Sequence, residues 1–297
     1  MPPLLLSALI GDAIALGPHW IYKNEVIQNH FPNGLTGYEA PRSLYHPGKN
    51  AGDQTHYGDQ TLALASSLQS RGDSWSMDGW RQDWRAYWQT SDSYRDHATR
   101  ETLAHMEQGS NEPSDSNELG GATRIAAVCS AIPANQLERR IQLARKSVAL
   151  THGDPVVADA AEWLVRIATL VEQGRELSAA IREAESQAGD VLNTADIVKS
   201  ASDFAQASVS NDVQALLPLA IQLGLSCDMS GALPLALGLA VRLENDPPKA
   251  LITNALLGGD SAARGLIIGL LLGARHGVKA WPETWLDGLN AVDAISS

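Results

Sequence analysis

Apolar residues recur along this chain at intervals of three and four, and almost nowhere at intervals of two. The pattern predicts an all-α chain, a single multi-helix domain of about a dozen helices spanning residues 1–297. Residues 3–16 are apolar nearly throughout, so they read as a first helix buried on most faces. Gly11-Asp12 falls in its middle, where an aspartate must be paired or must line a cleft. Gly17-Pro18-His19-Trp20 ends the helix and sets His19 just beyond the break.

Further helices are predicted at 61–69, 95–107, 137–150, 156–173, 177–187, 194–208, 211–223, 231–243, 248–257, 266–275 and 281–294. Trp80, Trp84 and Trp88 repeat every four residues, which puts three indoles on one helix face. Packing against another helix explains that stripe better than a base-stacking platform does. Gly265, Gly269 and Gly273 have the same spacing and imply a very close helix–helix approach, because interior glycine otherwise costs about 1 kcal/mol. Residues 29–55 show neither period and hold Tyr45, His46, Lys49, Asn50 and Asp53; the segment reads as a partial lid.

Composition narrows the function classes. Apolar residues make up 44% of the 297, enough for a full core. Thirty-four acidic against 22 basic residues give a net charge of −12, which argues against a nucleic-acid partner. No basic n-region precedes the early apolar run, and Asp12 interrupts it, so export is not expected. The apolar run at 266–274 is far short of the ~20 residues a membrane span needs. A cytoplasmic protein without membrane insertion is expected. Cys129 and Cys227 read as buried thiols.

Two stretches carry the candidate chemistry. They are His56-Tyr57-Gly58-Asp59-Gln60-Thr61 and Gly258-Gly259-Asp260-Ser261-Ala262-Ala263-Arg264. Each sets an aspartate after a glycine and before an apolar run, the pattern of a helix N-cap. Two such N-termini in one cleft would make a polar site for a cation or an anionic ligand. Gly120-Gly121-Ala122-Thr123-Arg124 opens another helix; Arg124 there opposes the helix dipole and calls for a carboxylate or a ligand.

These stretches, taken in order with Gly11-Asp12-Ala13, Ser147 through Thr151-His152, and Trp281-Pro282-Glu283-Thr284-Trp285, resemble the ADP-ribosylglycohydrolase family over nearly the whole chain. That family includes ADP-ribosyl-arginine and ADP-ribosyl-serine hydrolases as well as crystallin-like members. The resemblance implies an all-α fold with a cleft in which two magnesium or manganese ions polarise an ADP-ribose linkage. The departures fall in that centre. Where the family's first metal motif reads Thr-Asp-Asp-Thr, this chain has Gly58-Asp59-Gln60-Thr61. Where the second reads Asp-Thr-Asp-Thr, it has Asp260-Ser261-Ala262-Ala263, and the family's catalytic glutamate falls on His19.

Hard divalent ions need six or more oxygens, so at most one ion, or none, is expected on Asp59, Gln60 and Asp260. Arg264 lies one helical turn after Asp260 and is expected to replace metal charge by neutralising Asp59 and Asp260. An ADP-ribosylglycohydrolase-like hydrolase with an altered centre follows, acting on an ADP-ribose-type bond or a related small molecule. Asp59 or Asp260 would activate water, with His19 or His56 as alternative bases. Asp12, Gly120, Gly121, Arg124, His152 and Arg264 would bind substrate, the glycine amides and arginines meeting phosphate. The alternative is a non-catalytic member that binds a ligand or serves a structural role.

Overall fold

The computed structural model describes residues 1–189 and 191–291, and in it the helices follow the apolar periodicity. Fifteen α-helices form: α1 Pro3–Ala15, α2 Asn24–His30, α3 His56–Arg71, α4 Met77–Thr90, α5 His97–Glu107, α6 Ile125–Ala131, α7 Leu137–Val148 and α8 Pro155–Glu172. There follow α9 Leu177–Ala184, α10 Thr194–Gln206, α11 Val213–Leu223, α12 Met229–Arg242, α13 Pro247–Leu257, α14 Ser261–His276 and α15 Glu283–Asp287. No β-strand forms among the described residues.

Helix α1 is the central element, and its most extensive partner is α14. The glycine stripe explains how close they come. A β-carbon on Gly11 would overlap the carbonyl of Gly265, and one on Gly269 would overlap the carbonyl of Ser7. A β-carbon on Gly273 would meet the Ser7 side chain. The two backbones therefore touch directly, and the apolar residues on either side close into one core cluster running from Leu4 to Ala291. Gly277, at φ 70°, ends α14 in the left-handed conformation that glycine supplies.

The tryptophan stripe is structural. Trp80, Trp84 and Trp88 are buried in a second cluster with Leu64, Leu68, Val128 and Ile132. That cluster packs α3 against both α4 and α6.

Four sequence expectations change. Helix α3 starts at His56 rather than 61, because Thr55 Oγ1 accepts the Tyr57 N–H at 3.2 Å and caps it. Asp59 therefore lies inside the first turn and is not the N-cap. Helix α2 was hidden in a segment too short and polar for the pattern to show it. The last helix shrinks to Glu283–Asp287, where Pro282 starts it and Gly288 ends it; residues 292–294 of the expected helix lie outside the described residues. Cys227 is also only partly buried, and neither cysteine is in a disulfide.

Segment 31–55 has no regular structure but is strapped down at several points. Tyr38 Oη donates to the Trp285 carbonyl at 2.7 Å, and Trp285 Nε1 donates to the Thr36 carbonyl at 3.0 Å. Asn290 N–H reaches the Gly52 carbonyl at 3.0 Å. Helix α15 thus holds the segment over the N-terminus of α3.

Direct α1–α14 contact yields a test of sign. Helix propensity alone predicts that Gly269→Ala gains about 1 kcal/mol. Backbone overlap predicts instead a loss of at least about 2 kcal/mol in urea unfolding.

Candidate active site

The two focal stretches meet: Tyr57 Oη donates to Asp260 Oδ2 at 3.1 Å. Both also dock on residues at or beyond the middle of α1. Asp12 Oδ2 accepts the Thr55 N–H at 2.6 Å and Asp12 Oδ1 accepts the Thr55 hydroxyl at 2.6 Å. Oriented with its nitrogen inward, Gln54 donates to the same carboxylate at 3.1 Å. Ala262 N–H, in the first turn of α14, donates to His19 Nδ1 at 3.3 Å. Asp12 is thus the partnered buried aspartate that the sequence called for, but its partners are backbone and side chain rather than substrate. Burial outweighs the Thr55 bonds and pushes its carboxyl up to about 7.

Gly58 follows from this docking. A β-carbon there would crowd the Asp12 carboxylate and Gln54, so no side-chain ligand fits at that position. One residue on, Asp59 Oδ2 accepts from Lys49 Nζ at 2.7 Å and from Ser93 Oγ at 2.6 Å. Burial raises the Asp59 carboxyl pKa, and Lys49 and Ser93 oppose that rise. Lys49 comes from the irregular segment, so the lid itself supplies the cation.

Gln60 faces away from the cleft. Its Oε1 accepts from Arg124 Nη2 at 2.8 Å and from Trp84 Nε1 at 3.1 Å. The carbonyl offered as a metal ligand is therefore already engaged. Arg124 is buried, with Nη1 on Thr151 Oγ1 at 2.7 Å; burial lowers its pKa to about 10. It meets neither a bonded carboxylate nor an open phosphate site. His152 is buried beside it, with Nδ1 2.9 Å from Thr151 Oγ1. Gly120 and Gly121 lie in a buried 3-10 turn, Leu119–Arg124. A β-carbon on Gly120 would overlap the Tyr57 ring, and one on Gly121 would crowd the His152 ring. These glycines admit aromatic rings; they do not open backbone amides to a phosphate.

Arg264 corrects the expectation made for it. Nε donates to Asn254 Oδ1 at 2.9 Å, Nη1 to the Leu225 carbonyl at 3.4 Å, and Nη2 to the Gly258 carbonyl. It closes the C-terminal end of α13 and makes no ion pair with Asp59 or Asp260. Its charge still acts across space: burial raises the Asp260 carboxyl pKa, and Arg264 and His56 oppose the rise. Asp260 has no exposed surface.

Histidines and aromatic rings surround this pair of helix ends. Trp20 is the one non-glycine with positive φ, 61°, among the described residues. Trp20 N–H donates to the Gly259 carbonyl at 2.8 Å and Gly259 N–H returns to the Ile21 carbonyl at 2.9 Å, which holds it there. A non-glycine residue held there costs about 1–3 kcal/mol. The Trp20 ring stacks on His19 at 4.6 Å and meets Tyr45 at 4.9 Å and Tyr94 at 5.1 Å edge-on. Tyr22 and Tyr45 are about half exposed and form the outer rim. Below them His56 Nε2 stands 3.4 Å from Asp96 Oδ2. Burial alone would raise the Asp96 carboxyl, but His56 and Thr99 outweigh it and hold it below the carboxylate range. Burial lowers the His19 pKa well below its ordinary value, so His19 is a much weaker base than expected at neutral pH.

Sequence reasoning missed Asp96, Ser93 and Glu118. Asp96 had a signal, its N-cap spacing to Thr99, whose N–H it accepts at 2.7 Å. Glu118 is half-buried near Asp96 and Asp260; burial and those two carboxylates push it up to about 7. Nothing local in its loop distinguishes it.

The residues do not fit the family's two magnesium or manganese ions. Gly58, Ala262 and Ala263 offer no side-chain oxygen, Gln60 is turned to Arg124, and Asp59 already carries Lys49. The arrangement is a polar network whose charges are met from within the chain.

His152 gives a pH test. Burial, with Arg124, lowers its pKa to about 3, against 6.5 when unfolded. Its contribution to stability is present above about pH 6.5 and is lost as pH falls toward 3. Between about pH 6 and pH 4 the unfolding free energy of His152→Gln therefore falls less steeply than that of the wild type, by about 1.3 kcal/mol per pH unit.

No curated protein sequence matches the chain. A solved structure described as an ADP-ribosylglycohydrolase-related protein complex superposes with a TM-score of 0.70 at 20% identity, covering 99% of this chain and 93% of that one; it shows the shared fold. The sequence profile of the ADP-ribosylglycohydrolases matches residues 4–297. With that match across nearly its full length, the chain belongs to the ADP-ribosylglycohydrolase family.

Proposed function

We propose that this chain is a ligand-binding member of its family, in which the two-metal hydrolytic centre has been replaced by an internally neutralised one. The observation that carries this reading is the 2.7 Å contact between Lys49 Nζ and Asp59 Oδ2. A lysine ammonium on the first-motif aspartate cannot share that oxygen with a divalent cation, since like charges at such a distance repel strongly in a poorly solvated site. The other changes agree in direction. Gln60 has lost its charge and its exposure, and Asp260 is sealed under Tyr57 and His19.

The mouth above this network still suits a ligand of the ADP-ribose type. Tyr45 and Tyr94 around Trp20 offer aromatic faces to a nucleobase, and Lys49 would meet phosphate once Asp59 is partly protonated or displaced. Aromatic stacking on a base is worth about 1–3 kcal/mol. Phosphate would meet Lys49 in this reading, in place of the buried Arg124 and Arg264.

A second reading keeps hydrolysis without the ions. Glycosidic cleavage needs one protonated and one ionised carboxyl. Glu118, raised to about 7 and half-buried, supplies a proton near neutrality, and Asp59 is the ionisable partner with exposed surface. The two readings separate on turnover.

The test is calorimetry with ADP-ribose, alongside release of ADP-ribose from ADP-ribosyl-arginine and ADP-ribosyl-serine with and without millimolar Mg²⁺. The ligand-binding reading expects saturable binding, weakened roughly tenfold by Tyr45→Ala, and no turnover under either condition. Metal-independent turnover abolished by Glu118→Gln supports the second reading. Turnover that requires Mg²⁺, or no binding at all, contradicts both.

A further inference from the structure

Beside the acidic motifs, three histidines converge from three separate elements. His19 follows α1, His46 sits in the irregular segment and His56 opens α3. Each presents a ring nitrogen within 4.8 Å of the other two, and all three side chains are buried. His56 opens the first aspartate stretch, whereas His19 and His46 lie outside both.

Two of the three ring pairs have the spacing of a coordination shell, and closing the third needs a small inward shift of His19. Zinc–nitrogen bonds of about 2.0–2.1 Å put an imidazole centroid about 3.2 Å from the ion, so two rings at a tetrahedral angle stand about 5.2 Å apart. The His19–His46 and His46–His56 centroids are 5.3 Å and 5.4 Å apart, and His19–His56 is 6.2 Å. His46 Nε2 and His56 Nδ1 are 3.2 Å apart, against an edge of about 3.3 Å for a tetrahedral nitrogen set.

One unpartnered polar atom faces the proposed ion: His19 Nε2 is buried without a hydrogen-bond partner. Orphaned groups of this kind cost about 1–3 kcal/mol each. Two carboxylates stand behind the rings: Asp260 Oδ1 is 3.7 Å from His19 Nδ1, and Asp96 Oδ2 is 3.4 Å from His56 Nε2. A metal-bound histidine hands its other N–H to such an acceptor. With Nδ1–H on His19 and Nε2–H on His56, the remaining lone pairs are His19 Nε2 and His56 Nδ1, the latter already facing His46.

We propose that His19, His46 and His56 form a three-histidine site for a late first-row divalent cation of the zinc type, with Asp260 and Asp96 orienting two of the ligands. Imidazole donors suit such ions, and hard magnesium prefers oxygen. Binding exchanges tautomers without net proton release. The His19 proton moves from Nε2 to Nδ1, where it faces Asp260, and the Ala262 N–H gives up its hydrogen bond to Nδ1. The His46 proton leaves Nε2 for Nδ1. An ion there would tie the lid segment to α1 and α3 through His46. The site does not depend on ADP-ribose binding, so either proposal can fail alone.

Chelator-treated full-length protein is titrated with Co²⁺, then with competing Zn²⁺, in the wild type, His46→Ala and His97→Ala. His97, with Glu101 and Asp115, forms the other, exposed cluster able to collect a cation. Expected is one Co²⁺ per chain with the visible bands of four-coordinate cobalt, displaced by Zn²⁺, retained in His97→Ala and weakened more than about 100-fold in His46→Ala. His46→Asn carries the same readout if the alanine variant loses its helical circular dichroism. No binding by the wild type at micromolar metal, or binding that survives loss of His46, overturns the site.

Discussion

At Gly11 and Gly265 the backbones of α1 and α14 meet with no side chain between them. The rest of the structure depends on that contact. It places the start of α14, with Asp260, beside the end of α1, with Asp12 and His19. Thr55 then docks on Asp12, which fixes where α3 begins and so where Asp59 stands. A side chain at Gly11 or Gly265 would separate the helices and move every polar partner in the cleft.

Once these ends are brought together, electrostatics decides what the cleft can hold. Several carboxyls crowd one poorly solvated region, and burial raises Asp12, Asp59, Glu118 and Asp260 alike. A family centre with divalent cations would stabilise their ionised forms. Here the compensation is local and covalently attached: Lys49 for Asp59, Thr55 and Gln54 for Asp12, Tyr57 for Asp260. Partners held by the chain itself do not dissociate, in contrast to bound ions and water.

Much of this was legible from residue spacing. The glycine and tryptophan stripes named their own packing, because helical periodicity converts spacing into a face. The mid-helix Asp12 announced a partner, and the two aspartate stretches do meet through Tyr57. The rest depended on long-range geometry. Lys49 reaches Asp59 from a segment with no period to place it. Gln60 points at Arg124 and Trp84 because α3 begins at His56, more than one turn earlier than the apolar run suggests. Arg264 is spaced to pair with Asp260, yet the free carbonyls at the end of α13 and Asn254 take its donors. Local spacing cannot weigh such competition.

The central claim is that Lys49 occupies the place of a metal on Asp59. Anomalous diffraction from crystals soaked in millimolar Mn²⁺ tests it most directly. The account predicts that Lys49 stays on Asp59 and that no manganese is coordinated by Asp59 or Asp260. Two well-occupied manganese ions bridged by those carboxylates, with Lys49 displaced, would contradict it.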